Sequence, residues 1–305
     1  MRLLQQGLGL GPPAPEPADV VARSNVLWIG GPPRSGKTTV ATRVARRHGL
    51  RWYNADAHTW AHRDRAIAAG HPGAIRWEAM TPDERWVTTT PERMLELSID
   101  LERWPMIVDD LSRLPATPLI VAEGSTVPPD LVAQGIADPT RAVWLLPTPE
   151  LQRERLGAPR GVSDPDRARE NLAGLYALIG AEIERQAAEH GVHVLHVDGS
   201  LAVDETVAAV EELFAEPLAE GPRAETREER AALTRYANEV LVAQFEAYFA
   251  RPWTTGTTKA TSLPFACECG DPDCEAVVEL AVVVFPADEP VLAEGHATTS
   301  ATEWE

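Results

Sequence analysis

Apolar residues along this chain gather into short unbroken runs set between longer stretches of helical period. Residues 26–30 (VLWIG), 118–125 (PLIVAEGS), 142–146 (AVWLL) and 192–197 (VHVLHV) are such runs, and RWYN (51–54) is a shorter one. Runs this brief and continuous suit parallel strands covered on both sides. Between them, the segment after Lys37 up to Gly49, a stretch from Asp164 to His190 and a last one from Val203 to Phe214 read as helices. Leu95, Ile99, Trp104, Ile107, Leu111 and Leu114 also recur at helical spacing, from a start at Pro91 and despite Pro105. Residues 59–90, broken by Gly70, Pro72, Gly73 and Pro82, predict an irregular helical cap. Strands alternating with helices predict an α/β fold, a five-stranded parallel sheet with helices on both faces over residues 25–215. Right-handed crossovers then bring all strand carboxyl ends to one crevice.

The remaining segments predict a Pro-rich flexible lead-in at 1–24, a charged linker at 216–229 and a small C-terminal α+β domain at 230–305. In the last, residues 231–250 read as one amphipathic helix and 265–285 as a Cys-bearing turn feeding a strand.

Within the crevice the chemistry starts at Gly31, Arg34, Ser35, Gly36, Lys37, Thr38 and Thr39. Gly31, Gly36, Lys37 and Thr38 fit G-x-x-x-x-G-K-[ST], preceded by a strand and followed by a helix. Such a loop turns successive N–H groups toward one anion, and the helix dipole adds to that field. It implies a bound nucleoside triphosphate such as ATP, with Lys37 on the β- and γ-phosphates and Thr38 on Mg2+. A second acid is needed near the metal. MIVDD (106–110) and LIVAEG (119–124) both end in acids, but the helical period places Asp109 and Asp110 on a helix face, which favours Glu123.

Charge narrows the partners. A formal net charge of -18 opposes both a nucleic-acid backbone and an anionic membrane. No run is long enough to cross a bilayer, and residues 1–10 are too short and interrupted for a secretory signal, so a cytoplasmic location is expected. The three cysteines, Cys267, Cys269 and Cys274, crowd into a C-x-C-x4-C pattern with His296 beyond the next strand. Three thiolates and an imidazole are a structural zinc donor set, against the alternative of plain reduced thiols.

The order of strand, phosphate loop, short strand with Asp56, helical cap, strand ending in Glu-Gly and then an Arg-rich segment resembles the small-molecule P-loop kinases. Shikimate, gluconate and nucleoside monophosphate kinases and chloramphenicol phosphotransferase belong to that group. The resemblance covers about residues 25–215. It implies transfer of a γ-phosphoryl group to a small hydroxyl or phosphate acceptor, with Asp56 orienting or deprotonating the acceptor. It further implies an acceptor pocket around Trp60, His62, Arg63, Arg85 and Trp86, a lid carrying Arg153, Arg155 and Arg160, and a nucleobase near Asp198 to Ser200. Duller roles stand beside these: Asp56 as a helix N-cap, Arg153 or Arg155 paired with Glu150 or Glu154, His58, His62 and His71 capping or packing rather than catalysing, and the tryptophans chiefly packing, with Trp60 or Trp86 able to stack on an acceptor ring. The rival function is a slow nucleotide switch that meets a protein partner through the Cys-rich tail.

Overall fold

A computed structural model describes residues 25–254 and 256–298; the lead-in at 1–24 lies outside the described residues. The sheet is five-stranded and parallel, in the order β2-β3-β1-β4-β5. Its strands are β1 (Val26–Gly30), β2 (Arg51–Asn54), β3 (Ile120–Gly124), β4 (Ala142–Pro147) and β5 (His193–Val197). β1 is central, paired with β3 on one side and β4 on the other, and its neighbours are buried along nearly their whole length.

Alternate residues of each strand feed two cores. Leu27, Ile29, Val121, Val143 and Leu145 meet Val40, Ala41 and Val44 of α1 (Lys37–His48) on one face. Val26, Trp28, Ile120, Ala122 and Trp144 pack on the other face with α5 (Trp104–Arg113) and α8 (Pro165–His190). Period-two alternation sends neighbouring residues to opposite sides, so both cores grow from the same short runs.

The cap holds α2 (Thr59–Ala68), α3 (Pro72–Ala79), a π-helical turn at Glu84–Thr88 and α4 (Pro91–Leu97). The single periodic stretch expected over 91–114 is interrupted. Helix α4 ends at Leu97, a 3-10 turn covers Asp100–Glu102, and α5 starts afresh with Pro105 in its first turn. Proline lacks the N–H an interior position must donate but fits a first turn, so Pro105 marks a start rather than a kink. Short helices α6 (Asp130–Ala133) and α7 (Pro149–Glu154) follow β3 and β4.

After α9 (Val203–Leu213) the segment read as a linker carries α10 (Ala215–Glu220). Leu218 and Ala224 are buried, Leu119 N donates to the Pro222 carbonyl at 2.7 Å, and Ala224 N to that of Gly49 at 2.8 Å. Helix α11 (Arg227–Phe249) then runs along α2 and β2. The C-terminal part closes with an antiparallel pair, β6 (Ser262–Ala266) and β7 (Val277–Ala281), so the cysteines sit between two strands where the pattern predicted only the second. Among the described residues no helix is long and apolar enough to cross a membrane.

Candidate functional site

The phosphate loop leaves the carboxyl end of β1 and enters α1 at Lys37. Gly31 takes φ +139°, and a Cβ there would lie 2.3 Å from the Leu145 carbonyl oxygen of the neighbouring strand. Gly36 takes φ 94° at the helix N-cap. Both positions exclude ordinary side chains, which is the physical content of the two glycines in the pattern.

Lys37 is buried, with its ammonium 3.4 Å from Asp56 Oδ2. Thr38 Oγ1 donates to Glu123 Oε1 at 3.0 Å, which joins the start of α1 to the end of β3. Glu123 is fully buried, and its Oε2 has no hydrogen-bond partner. Burial pushes its pKa up to about 7, the nearby Asp56 charge adds to this, and Lys37 opposes it. Ser35 is buried too, with an unpartnered hydroxyl.

Asp56 belongs to this group rather than to a helix cap. His58 is the N-cap of α2 and makes no side-chain cap bond. The Asp56 carboxylate instead accepts from Ser125 N at 3.1 Å and Ser125 Oγ at 2.8 Å. Burial raises its pKa, but Lys37, Arg103 and the Ser125 bonds overcome this and hold it below the usual carboxylate range. Asp56 is therefore a charged hydrogen-bond acceptor at neutral pH. Tyr176 on α8 lies within electrostatic reach of both Arg34 and Asp56, and burial pushes its phenol up to about 12. Nothing in the sequence singled it out, because a Tyr in a periodic helix reads as packing.

The expected Arg lid divides. Arg155 Nη1 donates to the Arg34 carbonyl at 3.3 Å, and Gln152 Nε2 to that of Pro33 at 3.0 Å, so the end of α7 is tied to the loop. Arg153 is exposed and stands 4.0 Å from Glu150. Arg160 lines a cavity of about 230 Å³ farther on. That cavity is walled by Trp60, Trp77, Trp86, Tyr248 and Trp253, with Arg85 beside them. Asp198 accepts from Ser200 N at 2.8 Å in an exposed turn after β5.

Of the residues around the cap, His62 is taken up by packing while Arg63 stays beside the cavity wall. His62 is fully buried, accepts from Arg103 Nε at Nδ1 (3.2 Å) and meets Asp110 Oδ2 through Nε2 at 2.7 Å. Accepting at Nδ1 places the ring proton on Nε2, and burial with Arg103 keeps the imidazole neutral by lowering its pKa against the pull of Asp110. Asp110 also accepts from Tyr53 Oη at 2.8 Å and Arg65 Nη1 at 2.9 Å. The solvated helix face read for Asp110 is therefore a buttress beneath the site. Arg63 is buried, with Nε and Nη1 unpartnered and its guanidinium 5.7 Å from the Trp77 ring.

The second constellation surrounds the cysteines. Cys267, Cys269 and Cys274 are buried free thiols, and their sulfurs and a ring nitrogen of His296 all lie within 4.8 Å of one another. His296 Nδ1 is 3.4 Å from Cys267 Sγ and 3.5 Å from Cys274 Sγ. Tetrahedral bonds of ~2.3 Å to sulfur imply ligand separations of roughly 3.8 Å, so this cluster is able to hold zinc. Glu268, between the first two cysteines, is buried with Asn238 Nδ2 at 2.7 Å and Val291 N at 3.1 Å on its two oxygens. That pairing ties α11 to the knuckle.

The sheet order and the loop geometry are those of a fold compatible with the P-loop NTPases. No protein-family model matches the chain, and no curated protein matches it in sequence. Function must therefore be argued from the site itself.

Proposed function

We propose that the chain is an ATP-dependent phosphotransferase that moves the γ-phosphoryl group to a hydroxyl or phosphate oxygen of a small acceptor. The observation that carries this reading is Asp56, a charged carboxylate held by Ser125 at the edge of the phosphate loop, 3.4 Å from Lys37. A loop that only binds or slowly hydrolyses a nucleotide has no need of it.

The residues fit ATP and Mg2+. Ser35 Oγ and Glu123 Oε2 are buried without partners, a condition that costs roughly 1–3 kcal/mol each unless a ligand relieves it. Thr38 and Glu123 would hold the metal, directly or through water. Magnesium supplies charge neutralisation on the phosphates. Lys37 and the loop N–H groups bind the phosphate oxygens. Arg155, tethered at Arg34, steadies the migrating group and helps exclude water. Asp56 accepts the hydrogen bond of the acceptor hydroxyl and fixes its oxygen for attack; with its pKa depressed it orients more than it deprotonates. As the oxygen–phosphorus bond forms, the bond to the β-phosphate oxygen breaks and ADP leaves, and a hydroxyl acceptor gives up its proton late in the step to the Asp56 carboxylate, which releases it to solvent.

Zinc in the Cys267, Cys269, Cys274 and His296 cluster would be structural, since four protein ligands leave no open position. The switch reading draws on one observation, the grip of Arg46 of α1 on the carbonyls of Cys267 and Cys274. It requires slow hydrolysis that Asp56→Ala leaves unchanged.

The deciding experiment screens γ-labelled ATP and Mg2+ against pooled metabolites, nucleosides and antibiotics, beside Lys37→Ala. A labelled organic product that disappears in the variant supports the phosphotransferase. Tight ATP binding with only slow phosphate release, from every pool, overturns it in favour of the switch.

A further inference from the structure

Three elements lead from the phosphate loop to the cavity under the cap. Trp60 stands on α2, four residues after Asp56. On α11, Gln244 Nε2 reaches the Asp56 carbonyl at 3.5 Å, and Tyr248, one helical turn later on the same face, lines the cavity. Arg160 lines it too, five residues beyond the Arg155 that is tied to the loop. The cavity is thus walled by elements that also contact the Asp56 segment and the phosphate loop.

Its lining selects for chemistry. In a chain of net charge -18, the cavity draws two arginines and no carboxylate from the described residues. Arg85 is buried and fixed, with Nε donating to the Trp77 carbonyl at 2.9 Å and Nη2 to that of Glu78 at 3.0 Å, which leaves Nη1. Its guanidinium lies 3.8 Å from the centre of the Trp253 ring. Arg63, buried with two unpartnered nitrogens, flanks the Trp77 ring and adds a further positive charge. Glu78 Oε1 is engaged by Trp253 Nε1 at 3.1 Å and Arg251 at 3.6 Å, while its buried Oε2 has no hydrogen-bond partner and its charge is felt by both Arg63 and Arg85. Aromatic walls alone would suit a cation. With arginines in place of acids, they suit a flat ring whose substituent is an anion. A volume of about 230 Å³ lies below the ~300 Å³ where drug-sized sites begin, so the part held here is a small ring system with its substituent.

We infer that this cavity binds a small aromatic ring system bearing an anionic oxygen group, and that the C-terminal part completes it through Tyr248 of α11 and Trp253 in the turn beyond that helix. The phosphotransferase reading enters only in calling that ring the acceptor. The C-terminal part is then a wall of the substrate site, which gives a reason for its attachment.

The cavity tryptophans supply the readout. Full-length protein without nucleotide is titrated with 4-hydroxybenzoate, phenyl phosphate, 4-hydroxybenzyl alcohol and tyramine, following tryptophan emission, alongside Arg160→Ala and Trp253→Phe. Arg160 is exposed and its removal leaves the fold intact, which far-ultraviolet circular dichroism checks. The expected result is saturable quenching by at least one anionic ring, tenfold or more tighter than by tyramine or the alcohol, weakened fivefold or more in Arg160→Ala. The stronger of the two anions separates a carboxylate from a phosphate ligand. No saturable anion binding, equal or tighter binding of tyramine or the alcohol, or indifference to Arg160→Ala overturns the inference. Its failure is distinct from that of the catalytic reading. Anion binding without label transfer from ATP keeps the cavity and removes the kinase, whereas transfer to an acceptor indifferent to Arg160→Ala does the reverse.

Discussion

Arg46 Nη2 donates to the carbonyl oxygen of Cys267 at 2.8 Å, and its Nη1 to that of Cys274. Arg46 stands in the last turn of the helix whose first turn carries Lys37 and Thr38, so one rigid rod joins the phosphate loop to the cysteine knuckle. Arg43 adds a bond to Glu275 at 3.0 Å on the same side. A guanidinium between two carbonyls is held only while those carbonyls keep their spacing, and the spacing is set by the cluster of Cys267, Cys269, Cys274 and His296.

With zinc in the cluster, as proposed, its removal is expected to reach the proposed nucleotide site. A chelator strong enough to strip the cluster lowers the melting temperature and weakens ATP binding severalfold, measured by calorimetry on the same sample. Arg46→Ala separates the two effects. It leaves one zinc per chain by metal analysis, costs about 3 kcal/mol of stability for two charge-assisted hydrogen bonds, and makes ATP affinity insensitive to the chelator. Unchanged ATP affinity in the stripped wild-type protein would show that the rod transmits nothing.

Asp109 and Asp110 are adjacent in sequence and should differ sharply when replaced. Asp110 accepts from Tyr53, His62 and Arg65, so Asp110→Ala strands a buried phenol and a buried imidazole N–H; a loss of about 3–5 kcal/mol is expected. Asp109 meets Arg65 at 2.6 Å and Arg113 at 2.9 Å near the surface, and Asp109→Ala should cost less than about 1 kcal/mol. Urea denaturation of both variants decides this, and equal losses would remove the buttress.

That pair also shows how far the sequence could be read. The strand runs and the phosphate loop were legible because each depends on local pattern: apolar continuity, and glycines where side chains do not fit. The helix under Asp109 and Asp110 was legible from its period, yet the partners of Asp110 come from residues 53, 62 and 65, and no local pattern encodes that meeting. The partners of His62 were hidden for the same reason, since chemistry-bearing side chains in an irregular cap carry no mark of the side they face. The reach of α11 across the cap was equally invisible. Trp60, Tyr248 and Trp253 come together only in three dimensions, with ring centroids 5.6–5.7 Å apart.

Glu123 gives a pH signature with a defined sign. Its folded pKa of about 7 lies above the ordinary 4.5, so the folded chain holds an extra proton between those values. Stability from this residue is full below pH ~4.5 and declines as pH rises to about 7, by roughly 3 kcal/mol at most. Asp56, Asp110 and His62 titrate in both proteins being compared, so the difference between wild type and Glu123→Gln isolates the slope. The wild-type curve should fall relative to the variant from pH 4.5 to 7, and Mg2+ with ATP should flatten the fall by favouring the ionised form. Parallel curves would place the Glu123 pKa in the normal range.

Asp56 offers the sharpest test of chemistry against binding. Lys37, the loop N–H groups and the Thr38 and Glu123 pair make no use of the Asp56 carboxylate to hold phosphate; its partners are Lys37 at 3.4 Å and the Ser125 N–H and hydroxyl. Asp56→Asn keeps the size and one acceptor oxygen but removes the charge, so ATP should bind as well or slightly tighter, with Lys37 released from its ion pair. Phosphoryl transfer should fall by ~10²–10³, the scale expected when a positioned polar group that acts in the transition state is lost. The fall should appear in kcat rather than in the KM for ATP, since the lost interaction is made with the acceptor in the transition state. Single-turnover transfer and equilibrium ATP binding measured on the same variant resolve the two effects. Loss of ATP binding in step with transfer would return Asp56 to a structural partner of Lys37.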